Sequence, residues 1–229
     1  MPRLLDAFCC SGAASVGYNR SGFDEIVGVD IVGQPRYQFD FVQGDAIEFI
    51  RRYGHEFDFI HASPPCQAST TLTKGTNKKR NTEIGREHPQ LIPQTREALE
   101  ATGRPYVIEN VSSAPIRRDL MLCGEMFGLA VIRHRIFELG GWSTPNPPHP
   151  KHRGYVRGCR HKVWRDGPYF AVHGEGGGKG TVAEWQKAMG IDWTDVRKEI
   201  AEAIPPAYSQ YIGERAMEVL WPNQTPLSA

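Results

Sequence analysis

Over roughly the first 140 residues, short apolar runs alternate with amphipathic stretches. That alternation is the sequence form of an α/β protein whose strands are largely parallel. The runs predicted as strands are Arg3 to Phe8, Glu25 to Asp30, Phe39 to Gln43, Phe57 to Ala62, Tyr106 to Glu109, Asp119 to Leu122 and Arg135 to Leu139. Between them, Ala13 to Arg20, Ala46 to Tyr53 and Ile92 to Thr102 have helix-forming composition. Gly22, Gly54 and Gly103 stand where a terminating residue of positive φ is expected. The pattern predicts a seven-stranded, mostly parallel sheet flanked by helices.

After Leu139 the pattern stops. The stretch "GGWSTPNPPHP" holds four prolines and two glycines in eleven residues and can continue neither a sheet nor a helix. From Lys151 to Arg165 there are six Lys/Arg and two His, with no acid until Asp166, and "HGEGGGKG" follows at 173 to 180. Residues 140–194 read as a small, loop-rich lobe inserted into a main domain made of 1–139 and 195–229. Two predicted helices, Thr194 to Ala203 and Ala207 to Leu220, return the chain to that domain, with "IPP" as a hinge between them. No internal repeat is visible.

Composition narrows the function classes. A chain of 229 residues with 40% hydrophobic content can bury one core and carry a smaller lobe. The net charge is +1, so a polyanionic partner has to be argued from local clusters. Five irregularly spaced cysteines and no apolar N-terminal run support neither a disulfide framework nor a signal peptide. Reduced thiols and a cytoplasmic location are expected. No segment approaches the ~18 to 20 apolar residues that cross a bilayer, and no membrane partner is expected.

The polar residues at the strand ends carry the candidate chemistry. In "LLDAFCCSGAASVGY" a strand enters a tight turn of small residues and then a helix, so backbone amides can approach a ligand closely. "VGVD" puts Asp30 at the next strand end, and "VQGDA" puts Asp45 at the third. Acids there suit a ribose and repel phosphates, which favours a nucleoside-containing cofactor. The fourth strand delivers "SPPCQ", whose prolines hold the chain extended and present Cys66 from a stiff loop. Cys66 is either a quiet buried thiol or a nucleophile, and the second role needs an acid partner. "VIENV" supplies Glu109 beside Asn110, and "VIRHRIF" sets Arg133 and Arg135 two apart, on one face of a strand.

In order, "LDAFCCSGA", "VGVD", "QGD", "SPPCQ", "ENV", "RHRIF" and "AIPPAYSQYIG" resemble the ordered motifs of the DNA cytosine-5 methyltransferases, across about residues 3 to 139 and 200 to 214. The resemblance implies a Rossmann-like S-adenosylmethionine-dependent methyltransferase fold. It implies that Phe8 packs on the cofactor's adenine, that Asp30 holds its ribose and that Asp45 meets the adenine amino group. Cys10, Gly12, Ala13, Ile31, Ala46, Pro64 and Glu202 complete the expected cofactor surroundings. Cys66 would attack the base, Glu109 would bond its N3 and amine, and Arg135 its O2, with Arg133 alongside. Pro65, Gln67, Asn110, Lys74, Lys78, Lys79 and Arg80 are the expected contacts to substrate. The partner implied is duplex DNA with the target cytosine flipped out.

The chain departs from the family pattern in four places. Cys10 replaces the first glycine of the cofactor turn, Val131 replaces a glutamine, Ala201 and Glu202 replace Gly-Asn, and the recognition lobe is short. "KGTNKKR" at 74 to 80 resembles the mobile loop that closes over the base, and "KHRGYVRGCRHKVWR" can meet a phosphate backbone. His149, His152, Cys159 and His161 are metal ligands by type, but their spacing matches no common finger and no metal is expected. Three rivals remain: the same chemistry on RNA or another pyrimidine, a binding module without catalysis, and exocyclic amino methylation, which needs an aromatic where Cys66 stands.

Overall fold

The computed structural model describes residues 2–65, 91–160, 163–173 and 180–223. Seven strands form one sheet: β1 (Arg3–Ala7), β2 (Glu25–Asp30), β3 (Asp40–Gln43), β4 (Phe59–Ala62), β5 (Tyr106–Val111), β6 (Leu120–Leu122) and β7 (Arg135–Gly140). Their order is β3-β2-β1-β4-β5-β7-β6, with β7 antiparallel to both its neighbours and the other pairs parallel. The order reverses between β1 and β4. In open α/β sheets that is where two strand ends diverge and leave a crevice for a ligand.

The helices of the main domain are α1 (Ala13–Arg20), α2 (Ala46–Tyr53) and α3 (Ile92–Ala101). They cover both faces of the sheet, so the strands read as near-continuous apolar runs. One core cluster joins Leu5, Ile60, Ile108 and Ile136 to Ile50 and Leu99 of α2 and α3. The other joins Leu4, Phe59, Val107 and Phe137 to Tyr18 of α1 and to Tyr208 and Ile212 near the C-terminus. Asp45 starts α2 by accepting from the N–H groups of Ile47 (2.8 Å) and Glu48 (3.0 Å), as N-cap carboxylates do. Gly22 and Gly103 have φ of 105° and 66°, as their places after α1 and α3 predict. Gly54 does not: its φ is −56° and it opens a short 3-10 turn. Its requirement is space, because a Cβ there would lie 2.7 Å from Thr102 Cγ2.

The inserted segment is more ordered than its composition predicts. It contains a hairpin, β8 (Gly158–Arg160) with β9 (Val163–Arg165), and a helix, α4 (Val182–Met189), capped by Thr181 and ended by Gly190 at φ 71°. Helix periodicity was hidden there by flanking glycines. Trp185 and Met189 pack with Ala13 and Val131, so α4 shares a core with the main domain. The chain then forms α5 (Arg197–Glu202) and α6 (Pro206–Leu220). Gly17 of α1 lies so close to α6 that a Cβ would sit 2.1 Å from Pro206 O, and one on Gly213 would sit 2.0 Å from Ser21 Oγ. These contacts lock α6 against α1 beneath the first strand end. Among the described residues no helix is long and apolar enough to cross a membrane.

Candidate active site

The first wall of the crevice is the turn after β1. Phe8, Cys10 and Gly12 have φ of 61°, 46° and 85°, so the backbone enters the left-handed region three times in five residues. Glycine does this freely and other residues only under constraint. Cys10 therefore occupies a position whose geometry favours glycine. The constraint is visible: the Cys10 N–H donates to Asp30 Oδ2 (3.0 Å) and the Gly12 N–H to Cys9 O (2.9 Å). Asp30 Oδ1 accepts from Val32 N (3.0 Å). Asp30 thus stitches two strand ends together. Ile31 beside it is 66% exposed, an apolar surface next to an acid. Ala46 is buried at the start of α2, while Asp45 is exposed with Oδ1 engaged in the cap. Glu202, at the end of α5, lines the crevice near Cys10. Burial, Asp30 and Glu202 together push the Cys10 thiol up, so it stays protonated.

The second wall comes from β4, β5 and β7. Glu109 Oε1 lies 2.8 Å from Arg135 Nε, with both side chains largely buried. Burial raises the Glu109 carboxyl above its ordinary range, and Arg135, Arg133 and Ser63 oppose that only in part. A raised pKa is what a carboxyl needs to deliver a proton near neutrality. Ser63, hydrogen-bonded to Glu109, begins the loop that leads to Cys66. Behind it runs a buried chain: His61 Nε2 to Ser63 Oγ (2.9 Å) and His61 Nδ1 to Tyr18 Oη (3.0 Å). Burial pushes His61 down to about 3, so it is neutral. With Tyr18 donating to Nδ1, the Nε2–H donates to Ser63, whose hydroxyl then donates to Glu109.

Three buried side-chain oxygens in the crevice lack an aligned hydrogen-bond partner: Asp6 Oδ1, Ser11 Oγ and Glu109 Oε1. Glu109 Oε1 has its ion pair to Arg135, but outside hydrogen-bond alignment. Buried polar atoms are normally satisfied, and orphans converging on one cleft mark a place where a ligand's donors belong. Asp6 and Ser11 were missed as site residues. The signal for Asp6 was an acid inside the apolar run "LLDAF". Burial pushes Asp6 up to about 7, against the hydrogen bond that Ser15 Oγ donates to it at 2.5 Å.

Other predicted residues have different duties. Arg133 is not on the strand with Arg135: it precedes β7 with φ 31°, which breaks the period-two pattern. Its Nη1 and Nη2 donate to Val172 O (2.7 Å) and Ala201 O (2.6 Å), and its own carbonyl accepts from Tyr208 Oη (2.8 Å). It ties Val172 and the end of α5 to the sheet edge that carries Arg135. Asn110, expected to touch substrate, is buried and donates to Pro64 O (2.9 Å), fixing the Pro64–Pro65 loop against β5. Pro64 is buried and Pro65 exposed. Trp193, unremarked in the sequence, donates to Ser11 O (2.9 Å) and braces the turn after β1. Cys66, Gln67, Lys74, Lys78, Lys79, Arg80 and His161 lie outside the described residues.

The basic stretch is partly spent on acids of the chain itself, one of them outside residues 140–194. Arg153 pairs with Glu125 (2.9 Å) and Arg157 with Asp166 (2.9 Å). What it leaves at the surface is aromatic as well as basic: Tyr155 is 62% and Trp164 52% exposed, and Arg165 sits over the Tyr155 ring at 4.4 Å.

No protein-family profile matches the chain. It is 26% identical over 115 residues to the ribosomal RNA large subunit methyltransferase K/L of Shewanella sp. (strain W3-18-1), a match covering 44% of this chain and 16% of that protein's length. Three solved structures are similar over nearly the whole chain. A prophage-encoded E. coli protein assigned as a DNA modification methyltransferase has a TM-score of 0.59 at 14% identity, covering 96% of this chain and 99% of that one. The methyltransferase EhMeth of Entamoeba histolytica has a TM-score of 0.58 at 10% identity, covering 95% and 98%. The S. pombe Dnmt2 methyltransferase has a TM-score of 0.54 at 11% identity, covering 95% and 99%. The chain has the Rossmann-like methyltransferase fold.

Proposed function

We propose that this chain transfers a methyl group from S-adenosylmethionine to carbon 5 of cytosine in duplex DNA. One observation carries the reading most of the way: Glu109, with a raised pKa, is paired at 2.8 Å with Arg135 and hydrogen-bonded to Ser63, three residues before Cys66. The acid, the guanidinium and the first residues of the loop that leads to Cys66 thus converge from three strand ends.

The crevice suits a cationic nucleoside donor. Asp6 and Glu202 line it with acid and Asp30 stands behind the Cys10 amide, Ser11 and the strained turn offer polar contacts, and Phe8, with the exposed Ile31 next to Asp30, offers apolar surface. Phe8, Cys10, Gly12, Ala13, Asp30, Ile31, Asp45, Ala46, Pro64 and Glu202 would hold S-adenosylmethionine. Bound there, it supplies a methyl on a sulfonium sulfur, the electrophile for a nucleophilic carbon.

The residues of the chain make that carbon nucleophilic. The Cys66 thiolate adds to C6 of cytosine, forming an S–C6 bond, and the C5=C6 pair shifts into the ring. Glu109 delivers its proton to N3, which absorbs the negative charge, and Arg135 bonds O2. After methylation a base removes the C5 proton, C5=C6 re-forms, the S–C6 bond breaks and Cys66 leaves as thiolate. Glu109 takes back the N3 proton. Flipping the base out of a duplex costs a few kcal/mol, and the exposed Tyr155, Trp164 and Arg165, with Lys74, Lys78, Lys79 and Arg80, supply aromatic and cationic contacts for the opened strand.

The ribosomal RNA methyltransferase relative favours a second substrate for the same chemistry, RNA. Incubation with S-adenosylmethionine and oligonucleotides containing 5-fluorocytosine separates the two. A stable protein–DNA adduct, absent with Cys66→Ala, is expected; an adduct with RNA alone would move the substrate, and methyl transfer by Cys66→Ala would overturn the mechanism.

A further inference from the structure

On the far side of the arginine segment, four donor side chains from three separate stretches meet at one point. Cys123 directly follows β6, His134 stands between Arg133 and Arg135, and His149 and His152 belong to the proline-rich segment. One donor atom from each lies within 4.8 Å of all the others. His134 Nε2 is 3.1 Å from His149 Nε2, and Cys123 Sγ is 3.4 Å from His152 Nε2. From these contacts we infer that Cys123, His134, His149 and His152 form a zinc site.

The geometry fits the ion. Zinc–nitrogen bonds of about 2.0 to 2.1 Å and zinc–sulfur bonds of about 2.3 Å put tetrahedral ligand atoms roughly 3.4 to 3.6 Å apart. The His134–His149 and Cys123–His152 separations of 3.1 and 3.4 Å lie close to the lower end of that range, and all four donor atoms fall within 4.8 Å of one another. Hydrogen bonding alone is a poor reason for the arrangement. The His134 and His149 rings stack at 5.3 Å and 26°, and the His152 ring is 5.4 Å and 5.1 Å from them. Three imidazoles turned towards one centre cannot all donate to one another, whereas each can offer a lone pair to a cation. One thiolate with three imidazoles is a donor set that zinc accepts, and four protein ligands leave no open position, so the site is structural.

The surroundings are built to hold the ligands in place. The Glu125 backbone N–H is hydrogen-bonded to the Cys123 sulfur, which also lies 3.0 Å from Ile132 O, so the sulfur is held in position from two sides. Arg153, next to His152, donates its backbone N–H to Tyr169 Oη at 2.7 Å, and Tyr169 in turn donates to Glu125. Pro148 and Pro150 stiffen the chain on either side of His149. His149 is exposed, which gives the ion an entry path. Cys159, an expected partner of His149 and His152 by residue type alone, is exposed on β8 and outside the cluster.

The site would staple the inserted segment to β6 and to the residue between the two arginines. It would therefore hold Arg133 in its left-handed conformation and keep Arg135 aimed at Glu109. The test uses the full chain purified without a polyhistidine tag. Mass spectrometric metal analysis should find about one zinc per chain. Replacement by cobalt should give the visible bands of a tetrahedral site together with a thiolate-to-metal charge-transfer band. Cys123→Ser should lose the charge-transfer band. His149→Gln, at an exposed position that spares the fold, should weaken zinc by more than roughly 100-fold, since loss of a mere supporting contact costs about 10 to 100-fold. Cys159→Ser should keep the metal. Folded wild type that takes up neither zinc nor cobalt, or His149→Gln with undiminished affinity, would overturn the assignment. These readouts do not depend on methyl transfer, so the site can stand or fall apart from the proposed reaction.

Discussion

Two buried glutamates on neighbouring strands show how the same residue type serves opposite ends. Glu109 of β5 pairs across the sheet with Phe137, and Glu138 of β7 with Ile108, so the two carboxylates point to opposite faces. Burial works against ionisation at Glu138, but Arg96 bonds both oxygens (2.7 and 2.8 Å) and Arg117 N donates at 3.0 Å, leaving it below the ordinary carboxylate range. At Glu109 burial prevails over Arg135, Arg133 and Ser63, the carboxyl stays above that range, and one oxygen has no aligned donor. A fully satisfied carboxylate is a fixed part of the scaffold. A half-satisfied one still has affinity to give to a ligand.

The contrast breaks or sharpens under substitution. The largest effect is expected for Glu109→Gln, which mimics the protonated carboxyl: methyl transfer falls by about 10²- to 10⁴-fold, while the melting temperature at pH 8 holds or rises. A fall in melting temperature with full activity per folded molecule would make Glu109 structural like its neighbour. Next is Glu138→Gln, which removes the charge partner of Arg96 while Arg117 keeps Asp119 and Leu139 O, and should cost about 1.5 to 3 kcal/mol, roughly a 5 to 10 °C drop in melting temperature, with activity kept in the folded fraction. Because the Glu138 pKa is lowered on folding, its contribution is present above the ordinary carboxylate value and lost as pH falls through the folded value. Glu138→Gln should therefore flatten the acid limb of the stability profile.

A third prediction concerns Asp6. Its pKa rises from 3.8 to about 7 on folding, so the folded chain keeps a proton that the unfolded chain has lost. Stability should decline as pH climbs from about 4 to about 7 and stay lowered above that. Asp6→Asn should remove this slope, as measured by urea unfolding across the interval. An unchanged slope would place the titration on another group.

Much of the scaffold was legible in the sequence. Helices α1 and α2 begin and end where composition and caps place them, and β2 matches residue for residue. The turn after β1 and the acids at strand ends were also readable, because each depends on local chain geometry; that β5 and β7 lie side by side and bring Glu109 to Arg135 follows from the strand order instead. The proline and glycine density of 140–194 hid the hairpin and α4, since those residues mark boundaries without saying what lies between them. Arg133 was misplaced because a strand period was extended two residues beyond the strand.

By itself the sequence determined the succession of strands and helices, the faces their side chains take, and the residue types at each strand end. Those follow from periodicity and backbone preference, which act over a few residues. Tertiary structure decided which distant residues meet: His61 with Tyr18, Arg133 with Val172 and Ala201, and Cys123 with three histidines up to 29 residues away. Those meetings depend on the order of strands in the sheet and on the path of the inserted segment across its edge, which spacing along the chain does not encode.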